Sequence, residues 1–276
     1  MQNTEQINEK FLEEYGSEDA VRKYTTGTAG FGINYLLHND YAKVYLSAVD
    51  NYLKTSPPHP LRLLEFGCGA GMNIITLMSL LAKKRIQVEC AYGTDFSPRL
   101  LEAAAQDAKA SLPAALAGKL SFHVACNERL AEDLAAARKR PVQELLGFFD
   151  LIVGVNTFRY AHRLGKAQDC ASDIYRILRP GGVCVNIDMN DRFPVFRSKF
   201  KRKVEDPVES YIPSLEEYAT PFKAAGFEIL RKENFCWIPH SAGRTLTLGC
   251  RFMSPFLSAI APSRAMRSLI VGRKNS

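Results

Sequence analysis

Glu65, Gly67, Gly69 and Gly71 fall together in LLEFGCGAGMN (63–73), where an apolar run meets a glycine-rich turn that opens a helix. Such a turn holds a nucleotide-type ligand: glycine lets backbone approach the ligand closely and adopts positive φ, and the helix start aims free N–H groups and the positive dipole end at it. The spacing departs from G-x-G-x-x-G, because Met72 stands where the third glycine would fall. Glu65, two residues before the first glycine, suits a cationic or hydroxyl-bearing ligand better than a pyrophosphate, which disfavours a nicotinamide dehydrogenase. A second carboxylate, Asp95 in TDFSP (94–98), can accept hydrogen bonds from both hydroxyls of a ribose. His162, in FRYAHR (158–163), has the chemistry of a general base near neutral pH. The plainer reading, a polar residue at a helix start, is preferred over it.

These residues need a scaffold, and the chain alternates strand and helix from Leu61 onward. The pattern predicts strands at 61–66, 87–95, 120–127, 148–156 and 183–189, with helices at 72–84, 99–110 and 167–178 between them. Ser97 and Pro98 form a helix start, and Arg179-Pro180-Gly181-Gly182 reads as a tight turn before the fifth strand. Repeated βα units imply an α/β fold with a doubly wound, mostly parallel sheet covered on both faces. Residues 214–227 predict a helix, 228–238 and 265–274 the last strands, and 239–263 a long connection broken by prolines and glycines. Residues 1–58 are predicted as an N-terminal helical lid, with apolar residues at helical spacing from Ile33 to Tyr52. Residues 59–276 then form the core, with an insertion at about 191–212.

Ligands in such sheets sit at the carboxyl ends of the strands. That rule adds Cys126, Asn127 and Glu128 after the third strand and Asn156, Thr157 and Phe158 after the fourth. Tyr35, His38, Asp40 and Tyr41 of the lid could close over the site. Arg159 and Arg192 could pair with an acceptor carboxylate.

Bulk properties narrow the class. The 276 residues are 46% hydrophobic and 24% charged, as in an ordinary globular chain. No apolar run approaches a membrane span, and the polar, acidic start is neither a secretory signal nor a transit peptide. These features predict a cytoplasmic protein with no membrane partner. Seven cysteines form no C-x-x-C pair, which argues against a zinc site or a disulfide framework, and no metal is expected. The formal charge of +7 attracts anions. RSKFKRK (197–203) could track a phosphate backbone, but Glu205, Asp206 and Glu209 follow at once and partly cancel it, so nucleic acid is disfavoured.

The glycine turn with Glu65, Asp95 after the second strand, FDLIV in the fourth and RPGG before the fifth resemble, in that order, the motifs of class I S-adenosylmethionine-dependent methyltransferases of the small-molecule type. The resemblance covers Leu61 to Asp188 and extends loosely to the C-terminus. It implies a Rossmann-like, seven-stranded core that binds S-adenosylmethionine and releases S-adenosylhomocysteine after in-line transfer to an O, N or C atom of a small molecule. By resemblance, Glu65, Gly67, Cys68, Gly69, Gly71 and Asn73 hold the methionine end. Asp95 takes the ribose hydroxyls with Phe96 against the adenine and Ser97 beside them; Cys126, Asn127 and Glu128 meet the adenine amino group. Asn156 and Thr157 flank the transferred methyl, His162 is the catalytic candidate, and Tyr35, His38, Tyr41, Phe158, Arg159, Tyr160 and Arg192 are acceptor-site candidates. The fourth strand ends in NTF rather than N/D-P-P-aromatic, so the best signal for methylating a base or amide nitrogen is missing. An RNA or protein methyltransferase and a catalytically silent cofactor-binding protein stay open as alternatives.

Overall fold

A computed structural model describes residues 40–194, 211–238 and 244–275, together with Ser17. Tyr35, His38 and the basic stretch 197–203 lie outside the described residues. So does most of the predicted lid.

Helix α1 (Asp40–Thr55) buries Tyr41, Val44, Tyr45, Ala48, Val49 and Tyr52, an i, i+3, i+4 stripe that faces the core. Strand β1 (Leu61–Phe66) leads into α2 (Met72–Lys83), and β2 (Val88–Asp95) into α3 (Pro98–Ser111). A single helical turn precedes β3 (Leu120–Val124); α4 (Leu130–Ala137) and β4 (Phe149–Val155) follow. Then come α5 (Phe158–Arg163), α6 (Ala167–Ile177), β5 (Leu178–Met189), α7 (Leu215–Ala224), β6 (Glu228–Phe235), α8 (Arg244–Ile260) and β7 (Arg267–Arg273).

The strands order as β3-β2-β1-β4-β5-β7-β6. β1 to β5 pair in parallel, while β7 runs antiparallel to both its neighbours. β6 therefore points the same way as β5. Each face of the sheet carries its own core. Leu63, Val153, Val185 and Leu269 on one face pack with α1 and α2, and Leu64, Phe66, Ile152 and Cys184 on the other pack with α4 to α7. The long runs of buried strand residues follow from that double cover.

Two predicted features differ from the structure. RPGG is not a turn before β5 but a slip within it: Phe149 pairs with Leu178, while Leu151 pairs with Val183. Pro180 can donate no ladder hydrogen bond, and Gly181 sits at φ 78°. The bulge is held by the chain's end, since Gly181 N–H donates to the Lys274 carbonyl (2.9 Å) and Lys274 N–H to that of Gly182 (2.9 Å). The predicted connection 239–263 contains the 17-residue helix α8, which continues through Gly249 and Pro255.

At the amino-terminal edge of the sheet, fully buried Asp150 joins four elements. Its Oδ1 accepts from the Tyr52 hydroxyl (2.5 Å) and lies 3.0 Å from His59 Nε2 and 3.2 Å from Arg179 Nη1; its Oδ2 accepts from Arg62 N–H (2.8 Å). This network pins the end of α1 on the edge opposite the glycine turn.

Candidate active site

Gly67, Gly69 and Gly71 lie at φ 58°, 52° and 77°. A Cβ on Gly67 would stand 1.8 Å from Thr157 Oγ1, so the turn and the end of β4 touch only because that side chain is absent. A Cβ on Gly69 would meet nothing within 4 Å. The space above Gly69 is an open cradle within the glycine turn.

Helix α2 starts at Gly71 with no side-chain cap of its own. Glu65 takes that role from β1: its Oε2 accepts from Ile74 N–H (2.8 Å) and its Oε1 from Asn73 Nδ2 (2.8 Å). The Tyr45 hydroxyl of α1 donates to Asn73 Oδ1 (3.3 Å), which extends the chain across three elements. Glu65 is fully buried. Burial pushes its carboxyl up to about 8, against the pull of the Asn73 and Ile74 hydrogen bonds, and Asp95 adds repulsion.

Asp95 closes the turn from the other side. Its Oδ2 accepts from Gly69 N–H (2.9 Å) and its Oδ1 from Ser97 N–H (2.9 Å); burial raises its pKa above the usual range. Ser97 in turn caps α3, with Pro98 at the first helical position. Cys68 is buried and its thiol is pushed well up by desolvation, which keeps it neutral. Phe96 is half-buried beside Asp95.

After β3, Cys126, Asn127 and Glu128 are half-buried, and Asn127 Nδ2 donates to Thr157 Oγ1 (2.7 Å). Two of the predicted strand ends are thereby joined over Gly67. Asn156 holds φ 56°, a conformation that asparagine tolerates better than most residues. Its Oδ1 accepts from Arg267 Nη1 (2.7 Å).

The acceptor-side candidates divide. Arg159 is buried; its N–H donates to Asp188 Oδ2 (3.0 Å), its Nε lies 3.9 Å from Asp188 Oδ1, and its guanidinium stacks on the Tyr160 ring at 4.4 Å. Phe158 packs on Phe222 (4.8 Å) in the core, and Tyr41 is buried against Phe235 (5.7 Å). Arg192 is exposed. Both ring nitrogens of His162 have partners away from the turn: Nδ1 lies 2.9 Å from the Tyr211 hydroxyl and Nε2 3.3 Å from the Glu217 carbonyl. That arrangement ties α5 to α7.

Sequence reasoning passed over Asp188, Arg267, Tyr45 and Tyr218. Asp188 ends β5 and was open to the strand-end rule. Arg267 was not, because β7 is antiparallel and brings its first residue, not its last, to the site edge.

The donor set suits the expected cofactor. Buried carboxylates on two sides of the glycine turn, Glu65 and Asp95, match a ligand with an ammonium end and a pair of ribose hydroxyls.

Residues 64–184 match the family model described as "Methyltransferase domain". Among curated proteins, the non-reducing polyketide synthase tazA of Aspergillus terreus is 32% identical over 135 residues, 49% of this chain and 4% of that protein. The non-reducing polyketide synthase SAT8 of Stachybotrys chartarum is 28% identical over 149 residues, 54% of this chain and 5% of that protein. The chain thus spans only a small fraction of either synthase. Among solved structures, the CMeT domain of the citrinin polyketide synthase superposes with a TM-score of 0.58 at 19% identity, covering 96% of this chain and 59% of that one. The phosphoethanolamine N-methyltransferase 2 of Haemonchus contortus, in complex with S-adenosyl-L-methionine, gives 0.56 at 13% identity, covering 98% and 60%. At those identities the likeness is one of fold.

Proposed function

We propose that this chain, whose residues 64–184 match a methyltransferase-domain model and whose fold is shared with solved methyltransferases, uses S-adenosylmethionine to methylate an O, N or C atom of a small molecule. S-adenosylhomocysteine is the product. The observation that carries the reading is the open cradle at Gly69, whose own N–H is held by Asp95. We assign the methionine end of the cofactor to Glu65, Gly67, Cys68, Gly69, Gly71 and Asn73. The ribose falls to Asp95 and Ser97, the adenine to Phe96 with Cys126, Asn127 and Glu128, and the region of the methyl to Asn156 and Thr157. The polyketide synthase relatives favour a polyketide-like acceptor. The expected lid (1–58) and insertion (about 191–212) lie mostly outside the described residues.

When bound, the cofactor supplies a methyl group already activated on a sulfonium sulfur. The chain's part is to orient and to exclude water. Alignment of two reactants is worth up to roughly 7–11 kcal/mol in the best cases. Thr157, which abuts Gly67 and accepts from Asn127, and Asn156, held by Arg267, form the wall nearest the acceptor. His162 holds Tyr211 and the Glu217 carbonyl, which supports a positioning role more than proton transfer. The seven cysteines, all unpaired, favour a reducing compartment such as the cytoplasm; among the described residues no helix is long and apolar enough to cross a membrane.

Titration calorimetry tests the reading. S-adenosylmethionine should bind in the micromolar range, and Asp95→Ala or Gly69→Val should weaken it at least tenfold. Absence of binding by the unmutated protein sinks the proposal. A transfer screen with labelled cofactor then identifies the acceptor.

A further inference from the structure

Six of the eight large hydrophobic side chains exposed among the described residues lie on α8. Leu248, Phe252, Phe256 and Ile260 recur every fourth residue and are 61%, 85%, 59% and 63% exposed. Steps of four advance about 40° round a helix, so these four sweep a broad outward arc of about 120°. Thr247, Cys250, Ser254 and Leu257 form the half-buried inward side. Trp237 Nε1 fastens the helix to the domain through Ser258 Oγ (3.0 Å). The helix is amphipathic with its apolar side turned to solvent, the reverse of a helix packed on a core.

Charge identifies the occupant. Helix α8 itself carries no Asp or Glu; of the cations beyond it, Arg267 is buried, Arg273 pairs with Glu228 and Lys274 bonds the Leu178 carbonyl at the opposite edge of the sheet. Arg251 within α8 and Arg264 just beyond it are exposed. Asp40 and Glu233 share a cleft with Ser258 on the inward side and are paired with Lys43 and Arg231, so the apolar arc, flanked by Arg251 and Arg264, matches an anionic lipid interface. A self-paired helix needs only a narrow seam, and this arc is wider. With 17 residues α8 is too short to span a bilayer and would lie in its plane.

We propose that α8 docks the protein on an anionic membrane surface, with Phe252 and Phe256 entering the headgroup–acyl boundary. The contact is peripheral and spans nothing, yet it departs from the expectation of no membrane partner, which was drawn with 239–263 read as a connection. β6 runs parallel to β5 and β7 returns, so α8 sits on the same edge of the sheet as the glycine turn. The inference does not depend on the methyltransferase reading.

Flotation of the full chain with vesicles tests it. The protein should float with phosphatidylcholine–phosphatidylglycerol vesicles and much less with phosphatidylcholine alone, and added salt should weaken the association. The Phe252→Asp/Phe256→Asp variant should lose at least tenfold in partitioning while keeping its melting temperature and S-adenosylmethionine affinity. A milder Phe252→Ser variant should fall between. No flotation of the unmutated chain overturns the proposal, as does equal flotation of the double variant. So does light scattering that shows a dimer which the double variant abolishes, in the absence of vesicle binding; that result assigns the arc to a second copy.

Discussion

Cofactor binding should release a proton, and Glu65 is the source. Its carboxyl, buried beneath the glycine turn, is pushed up to about 8. At pH 7 the free protein then holds this proton about nine-tenths of the time. A cationic methionine end set over the turn favours the carboxylate and expels the proton. The apparent dissociation constant should rise about tenfold for each pH unit that the pH drops well below 8, about fiftyfold in all from pH 8 to pH 6. Calorimetry at pH 7 in two buffers of different ionisation enthalpy should give heats that differ by about 0.9 proton's worth of buffer ionisation. Glu65→Gln should flatten the pH dependence and abolish the difference. Stability of the free protein follows the same sign: a folded pKa above the unfolded one gives stability that is full below about 4.5 and is lost as pH rises through about 8. The cofactor-induced rise in melting temperature should accordingly be larger at pH 8 than at pH 6. Equal heats in both buffers, with a flat affinity from pH 6 to 8 in the unmutated chain, refute the reasoning.

Two further outcomes are expected. Tyr52→Phe removes the hydroxyl that donates to buried Asp150 and should cost about 1–3 kcal/mol in urea unfolding with little change in cofactor affinity. The Tyr52 phenol is pushed up to about 12 by burial and Asp150, so its stabilisation is complete below pH 10 and is lost between about 10 and 12, an effect Tyr52→Phe should remove. His162→Gln should lower turnover less than tenfold, because the ring holds α7 rather than facing the turn; a loss of a hundredfold or more, with cofactor affinity unchanged, would restore it as a base.

The five βα units were legible because each announces itself locally, through a buried strand, a capped helix start and a short loop. Glu65 and Asp95 were legible for the same reason: both end strands. What was hidden depends on pairs of elements. The RPGG slip is a property of β4, β5 and Lys274 together, and no single segment carries it. Glu65 read as a ligand group, yet its oxygens already accept from Asn73 and Ile74, a capping role visible only once β1 lies beside α2. Helix α8 was obscured by Gly249 and Pro255, which read as breaks, and by an inward side made of Thr247, Cys250 and Ser254, which carries no apolar stripe. Its period-four stripe was present in the residues but points outward.

The position of β7 sets an order of assembly. It inserts between β5 and β6, so β6 has no neighbour until the chain has passed it, crossed α8 and turned back. The Asn156–Arg267 hydrogen bond waits on that return, whereas the Glu65–Asn73 and Gly69–Asp95 bonds close within the first two βα units. The acceptor wall and the cofactor cradle should then belong to different cooperative units. Hydrogen exchange should find β6, α8 and β7 opening together at lower free energy than β1 and β2. A domain that has lost its last strand would still grip the cofactor while leaving Asn156, beside the methyl, without its anchor.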